Sequence, residues 1–139
     1  MPQPFHLAIP VTDIALADEF YGGLLGCEKG RSDTKWIDWN FFGHQLVTHC
    51  VDHMPAKPQH NDVDSHAVPV PHFGVVLTMK AWEALSETLK AAEIPFIIEP
   101  YVRFKGQAGE QATMFFNDPF GNALEFKAFA DIEQLFATD

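Results

Sequence analysis

The sequence has few cysteines and few basic residues, and it lacks a long apolar segment. Cys27 and Cys50 do not have Cys-x-x-Cys spacing, so we expect reduced thiols, no disulfide and no cysteine-based metal site. Nine Lys and Arg residues against 19 acidic residues give a net charge of −10, which argues against nucleic acid and anionic membranes as partners. Neither a signal peptide nor a membrane span is predicted, and we expect a cytoplasmic protein.

The composition that remains is typical of a folded domain. Hydrophobic residues make up 47% of the 139 residues and include 13 Phe, which is enough for a packed core. We therefore expect residues 1–139 to form a single domain.

The most informative stretch begins with the turn Asp118–Asn122 and continues as a strand from Ala123 to Phe129. Alternate side chains of a strand share one face, and Glu125 is the one carboxylate in the otherwise apolar run of residues 123–126. A buried carboxylate needs a cation. The sequence therefore suggests that Glu125 shares its site with a positively charged group or a metal.

The order of predicted elements repeats. A βαβββ pattern covers about residues 4–51, and a second covers about 71–130, with a linker or flap at 52–70. The predicted strands and helices of the two modules are Phe5–Val11, a helix from Asp13 to Gly26, Glu28–Arg31, Trp36–Phe42 and His44–Val51, then His72–Leu77, a helix Lys80–Ala92, Pro95–Ile98, Gln111–Asn117 and Ala123–Phe129. The predicted fold class is α+β, with paired βαβββ modules forming two curved mixed-sheet half-barrels around one cavity.

The 52–70 segment has several prolines and almost no apolar periodicity, so we expect no regular structure there. We interpret His53, His60 and His66 as solvated loop residues, as we do His44 at its turn. A second polar turn is expected from Arg103 to Gly109.

The repeat aligns His6 with His72, and Val47 with Glu125. If both modules contribute equivalent positions to one cavity, that cavity receives two imidazoles and one carboxylate. This set is typical of non-haem Fe(II), and catalytic Zn(II) also accepts it. Taken singly, each His is more often a packed core residue, and Glu125 could instead pair with Arg103.

The paired Phe-Gly turns and the segment Asp118–Lys127 carry a family resemblance. The whole chain resembles the glyoxalase, bleomycin-resistance and extradiol-dioxygenase superfamily, the vicinal oxygen chelate proteins, and within it small extradiol-type dioxygenases. The resemblance implies that His6, His72 and Glu125 bind a divalent metal, with Fe(II) preferred and Mn(II) or Zn(II) as alternatives. It also implies a homodimer.

Two positions depart from the family pattern. Val47 stands where glyoxalase-like members have a fourth ligand, which favours the three-ligand dioxygenases. Phe115 stands where catechol-cleaving members have a Tyr, so an acid–base group must come from elsewhere. His49 is our candidate base, although a structural or substrate-binding role fits it equally well.

We therefore predict a metal-dependent extradiol-type dioxygenase that acts on a small catechol-like substrate and O2. The alternatives are a metal-dependent glyoxalase-like isomerase or lyase, and a metal-free sequestering protein of the bleomycin-resistance type. Val47, Arg103 and Phe115 are predicted to contact substrate, with Arg103 holding an anionic group or, alternatively, pairing with a surface acid.

Overall fold

The structure, a computed structural model, describes residues 3–57, 59–63 and 66–138. Two compact units are present: the first combines Met1–Lys57 with Asp118–Asn122, and the second combines Pro58–Asn117 with Ala123–Asp139. Each unit has a four-stranded mixed sheet and a helix, which confirms the α+β class and the two βαβββ modules. No helix within the described ranges has the length and apolar character to span a bilayer. A single domain over residues 1–139 stays a prediction.

The first unit follows the predicted order closely. The elements are β1 His6–Val11, α1 Ile14–Ala17, a π-helical segment Asp18–Leu24, β2 Glu28–Ser32, β3 Trp36–Phe41 and β4 His44–Cys50. The sheet has the strand order β1-β4-β3-β2, with β1 and β4 parallel. Asp13 caps the helix, which widens into the π-helical segment after one turn.

Strand alternation explains the core of the first unit. The buried side chains of the sheet come from alternate positions, such as Ile9 and Val11 of β1 and Trp39 of β3. The Trp39 indole N–H donates to the buried Thr48 hydroxyl at 3.1 Å. The opposite face of the same sheet carries His6, Val47 and His49, since Ala8 pairs with Val47 and Pro10 with His49.

The Asp118–Asn122 turn belongs to the first unit through hydrogen bonds. The Tyr21 hydroxyl donates to Asp118 at 2.7 Å, and the Asn122 amide donates to the Pro10 carbonyl at 2.8 Å. Burial raises the pKa of Asp118, against hydrogen bonds from Asn122, Tyr21 and two backbone N–H groups that lower it. Burial also raises the pKa of Tyr21 well above its usual value, so this phenol stays a donor at neutral pH.

The elements of the second unit are β5 Gln59–Val63, β6 His66–Val70, β7 Val76–Leu77, α2 Met79–Ala91, β8 Phe96–Arg103, β9 Gln111–Asn117, β10 Ala123–Phe129 and a 3-10 turn Ile132–Phe136. The sheet order is β7-β10-β9-β8, and β5 and β6 form a separate two-stranded hairpin. Strand β7 runs parallel to β10, whereas β9 is antiparallel to both β10 and β8.

Helix α2 covers one face of this sheet. Thr78 caps it, and its stripe of Trp82, Leu85 and Leu89 is buried. The Trp82 indole N–H donates to the Phe126 carbonyl at 3.0 Å, which fixes α2 against β10. The opposite face of the sheet therefore remains available to the hairpin and to a cavity.

The expectation of an irregular 52–70 segment is wrong, because Gln59–Val63 and His66–Val70 pair as an antiparallel hairpin. All five β5 side chains are exposed, so no apolar alternation marks that strand. Pro69 also argued against a strand, but an edge position tolerates a residue without an N–H donor.

Two strand boundaries also differ from the prediction. The first strand of the second module, predicted at His72–Leu77, is regular at Val76–Leu77. Gly74 lies against the backbone of β10 and follows an isolated Phe73–Leu124 bridge, so the ladder is interrupted there. Strand β8 continues to Arg103, past Pro100, and the second of its two register shifts, between Ile98 and Tyr101, spans the proline. Arg103 thus ends a strand, and the polar turn begins after it.

Replacing Tyr21 by Phe tests the turn anchor. The variant leaves Asp118 buried with one donor fewer, so we expect the free energy of unfolding to fall by about 1–3 kcal/mol. Urea unfolding at pH 7 measures it. Tyr101→Phe, which removes the other tyrosine hydroxyl of the chain from a half-buried position, is the control and should change stability by less than about 0.5 kcal/mol. Equal losses in both variants would contradict the anchor.

Candidate metal and substrate site

A cavity of about 170 Å³ lies on the sheet face opposite α2 in the second unit. The hairpin covers it, since Val68 of β6 packs with Ile98 and Phe115 of the sheet. Its polar lining comes from alternate positions of three neighbouring strands and from the segment before β7. The residues that line it include His66, Val68, His72, Ile98, Tyr101, Arg103, Thr113, Phe115, Glu125 and Lys127.

His72 and Glu125 meet in this cavity. The His72 Nε2 atom lies 3.3 Å from Glu125 Oε1. The segment before β7 runs beside β10, where the Glu125 N–H donates to the Phe73 carbonyl at 2.8 Å. This pairing sets the imidazole next to the carboxylate.

Each group of the pair has a second partner that fixes its orientation. His72 Nδ1 lies 2.7 Å from the Pro69 carbonyl oxygen, and the Thr113 hydroxyl donates to Glu125 Oε2 at 2.6 Å. The Phe115 ring meets the His72 ring edge-on at 4.8 Å. The imidazole and the carboxylate are thus held in place before any ligand arrives.

The hydrogen bond at Nδ1 decides what Nε2 can do. A carbonyl oxygen only accepts, so Nδ1 of His72 carries the proton. In the neutral ring Nε2 is then a lone pair facing a carboxylate oxygen, an arrangement that repels unless a cation lies between or beside the two atoms. The imidazole and the carboxylate together therefore fit a divalent metal.

The other predicted ligand lies in the first unit. His6 is exposed, and its Nδ1 lies 2.7 Å from Gln45 Oε1, which leaves Nε2 to bind a ligand. Among the described residues no group of three or more His, Cys, Asp or Glu side chains could hold a metal ion. The part of His6 in metal binding stays a prediction.

The remaining predicted site residues divide between the units. Arg103 and Phe115 line the cavity with His72 and Glu125. Val47 is buried in the first unit, and His49 is exposed two residues further along β4. Their roles as a substrate contact and as a base stay predictions.

The sequence interpretation missed several lining residues. His66 is wrongly placed as a solvated loop residue, because it lines the cavity and its Nδ1 atom is buried. The spacing of His66 and Val68 along one strand face was the available signal. Thr113 could not be predicted from the sequence, because its role is to hydrogen-bond Glu125 across the β9–β10 pair.

Burial keeps the Cys27 thiol of the first unit protonated at neutral pH. Cys27 and Cys50 are free thiols, and burial raises the pKa of Cys27 to about 11. The thiolate is the form that attacks and binds metals. Cys27 is therefore a packing residue.

The family model described as Glyoxalase/Bleomycin resistance protein/Dioxygenase superfamily matches residues 3–126. Among solved structures, a glyoxalase/bleomycin resistance protein/dioxygenase from Alicyclobacillus acidocaldarius is 35% identical, has a TM-score of 0.76, and is matched over 96% of both chains. No curated protein matches the sequence.

Two further solved structures are similar at lower identity. The fosfomycin resistance protein FosX from Listeria monocytogenes is 16% identical, with a TM-score of 0.69 and coverage of 97% of this chain and 99% of that chain. A glyoxalase/dioxygenase from Nostoc punctiforme is 17% identical, with a TM-score of 0.70 and coverage of 93% and 92%. These two show similarity of fold alone.

Replacing Gly74 by Ala tests whether the close approach of this segment to β10 is required for the fold. A Cβ atom at Gly74 would lie 1.5 Å from the Glu125 carbonyl oxygen, so Gly74→Ala must separate this segment from β10. We expect a loss of several kcal/mol in the free energy of unfolding, measured by urea titration.

The matched control is Gly109→Ala in the same unit, where the nearest atom to an added Cβ is a Phe104 ring carbon at 4.0 Å. This control should stay within about 0.5 kcal/mol of wild type. A Gly74→Ala variant as stable as the control would show that the close approach is not required.

Proposed function

We propose that this chain, which belongs to the glyoxalase/bleomycin resistance protein/dioxygenase superfamily, is a metal-dependent dioxygenase of the extradiol type acting on a small catechol-like substrate. The observation that supports it best is the His72–Glu125 pair, with Nδ1 engaged by a carbonyl and Nε2 turned to a carboxylate 3.3 Å away. This is the orientation that a metal-binding imidazole needs.

In this proposal His72 and Glu125 hold the metal, and His6 is the third ligand. Fe(II) is preferred, with Mn(II) or Zn(II) as alternatives. When bound, the metal supplies Lewis acidity toward two vicinal oxygens and, as Fe(II), redox chemistry for O2. Val47 has no donor atom, so it cannot be a fourth ligand and would contact the substrate only by packing against it.

The chain's own residues bind and orient the substrate. Phe115 and Ile98 form an apolar wall that suits one face of an aromatic ring. Arg103 and Lys127 give the same cavity two cationic side chains, which would hold an anionic substituent. His49 is proposed as the base that removes a proton from a substrate hydroxyl.

The second candidate is an isomerase or lyase that stabilises an enediolate. Phe115 favours it, because a phenyl ring at this position offers no hydroxyl to assist ring cleavage. The cavity and the His72–Glu125 pair would serve this reaction equally, without O2 as a substrate.

The expected partners are a small-molecule substrate and, for the dioxygenase, O2. A homodimer and a cytoplasmic location stay predictions from the sequence. Light scattering on the purified chain tests the dimer, with twice the chain mass of 15.6 kDa as the expected result.

Metal content tests the site directly. Protein purified without a His tag should bind about one equivalent of Fe(II) or Mn(II). His72→Ala should abolish this binding, and Thr113→Val should weaken it about 10–100-fold by releasing the carboxylate. Calorimetric titration with Mn(II) measures both changes.

His60→Ala is the control for metal titration, because His60 is exposed on β5 of the hairpin and makes no part of the proposed site. It should bind metal like wild type. A wild-type protein that takes up no transition metal would contradict the proposal and favour a metal-free binding protein.

Oxygen uptake separates the two enzymatic candidates. Protein loaded anaerobically with Fe(II) should consume equimolar O2 with one or more catechols, followed with an oxygen electrode. His49→Ala should keep the metal and lose most of the turnover, about 100-fold or more, if His49 is the base. No uptake with any catechol, together with isomerisation of a hemithioacetal, would favour the second candidate.

A further inference from the structure

Positive charge is concentrated in the cavity of the second unit, although the chain as a whole is acidic. Acidic residues outnumber Lys and Arg by 19 to 9 in the sequence. Among the described lining residues this balance is reversed, because Arg103 and Lys127 are set against the single carboxylate of Glu125. A cleft lined by one sign of charge concentrates ligands of the opposite sign, so the cavity favours an anionic ligand.

Lys127 has no ion pair within the described parts of the chain. The ion pairs found there are Lys29–Asp18, His72–Glu125 and Lys90–Glu87. The Lys127 Nζ atom lies 5.7 Å from the centre of the Phe129 ring, which is a weak contact for a cation. Because Lys127 is half-buried and lines the cavity, its ammonium group is available to an anion bound there.

The acid closest to Lys127 along β10 is already engaged. Glu125 precedes Lys127 by two residues and shares its face of the sheet. Its carboxylate accepts a hydrogen bond from Thr113 and lies 3.3 Å from His72 Nε2. A divalent metal held by Glu125, as proposed above, would add positive charge to the cavity and strengthen its preference for an anion.

The lining side chains form two rows across one face of the sheet. Cross-strand pairing places Glu125, Phe115 and Ile98 in one row, called the metal row, and Lys127, Thr113 and Tyr101 in the other, called the distal row. The rows are two residues apart along β9 and β10, a distance of roughly 7 Å. Gln111, the cross-strand partner of Phe129, also lines the cavity, so the Lys127 ammonium beside Phe129 lies at the distal end.

The cavity has room for one ring. Its volume of about 170 Å³ is close to the roughly 150 Å³ of a protein cavity known to hold benzene. A benzene ring with substituents at opposite ends extends from one row to the other. If vicinal hydroxyls occupy the metal row, a substituent at the opposite end of the ring meets Lys127.

We propose that Lys127 determines substrate choice by pairing its ammonium group with a carboxylate at the distal end of a single-ring substrate. This inference rests on the proposed function, in which the vicinal hydroxyls of the ring occupy the His72–Glu125 end. Arg103 adds a second positive charge to the same cavity. The substrate class is thus a dihydroxy aromatic carboxylate, and a ring with a neutral group in place of the carboxylate lacks the recognised charge.

The test compares two probes, 3,4-dihydroxybenzoate and 3,4-dihydroxybenzamide, which have nearly the same shape and differ in the charge of one substituent. Calorimetry on protein loaded with redox-inert Zn(II) measures both affinities. Wild type should bind the carboxylate about 10-fold or more tightly than the amide, as expected for a hydrogen bond between charged groups.

Lys127→Met separates recognition of charge from packing. A lysine stem can also serve to cover apolar surface, and methionine keeps most of that stem without the ammonium group. The variant should lose most of the preference for the carboxylate, while its affinity for the amide stays within about 2-fold of wild type.

Lys105→Met is the matched control, because it makes the same change in net charge at an exposed position outside the lining of the cavity. It should bind both probes like wild type. Lys127→Gln replaces Lys127→Met as the test variant if the latter fails to fold, with the same loss of preference as the expected result.

The outcomes distinguish this inference from the proposed function. Equal affinity of wild type for the two probes, an unchanged preference in Lys127→Met or its substitute, or an equal loss in Lys105→Met would overturn the role of Lys127 and leave the metal site standing. Failure of Zn(II)-loaded wild type to bind either probe would overturn the vicinal-oxygen function, and this inference with it.

Discussion

The structure of the second unit depends on the contacts that stabilise the Glu125 carboxylate inside the sheet. This group lies in the middle of β10, between the fully buried Leu124 and Phe126. Removing a charge from water is costly unless hydrogen bonds and an opposite charge compensate for it. The Thr113 hydroxyl donates one such hydrogen bond, and Gly74 allows the backbone before β7 to approach β10 closely, which sets His72 beside the carboxylate. In the proposed metal site, the cation would supply the opposite charge.

Some parts of this site could be predicted from the sequence, because they follow from strand alternation and from the repeat. Period-two alternation placed Glu125 on the side of β10 away from the α2 core, and the repeat selected His72 from the seven histidines of the chain. Arg103 and Phe115 were also expected in the cavity, which they line. The fold class followed from the same repeat, because two copies of one βαβββ pattern leave few alternative arrangements.

Contacts that depend on tertiary structure could not be predicted in this way. Strand β5 is stabilised by pairing with β6, and its fully exposed side chains carry no periodic signal. The hairpin therefore went unrecognised, and the contribution of His66 to the cavity with it. Thr113 reaches Glu125 only because β9 and β10 pair in one particular register, which local sequence does not specify.

The two halves of the repeat share one feature more closely than their strand boundaries. In each half the equivalent histidine has Nδ1 at 2.7 Å from an oxygen, Gln45 Oε1 for His6 and the Pro69 carbonyl for His72. The oxygens come from different kinds of group and from different strands, yet both leave Nε2 to bind a ligand. Two different hydrogen-bond acceptors thus fix the same nitrogen, Nδ1, in both rings. Packing alone does not explain this, because a packed imidazole does not require one particular nitrogen to be bonded. The proposed metal site would require Nε2 as the ligand atom of both rings, and this requirement would account for the shared orientation.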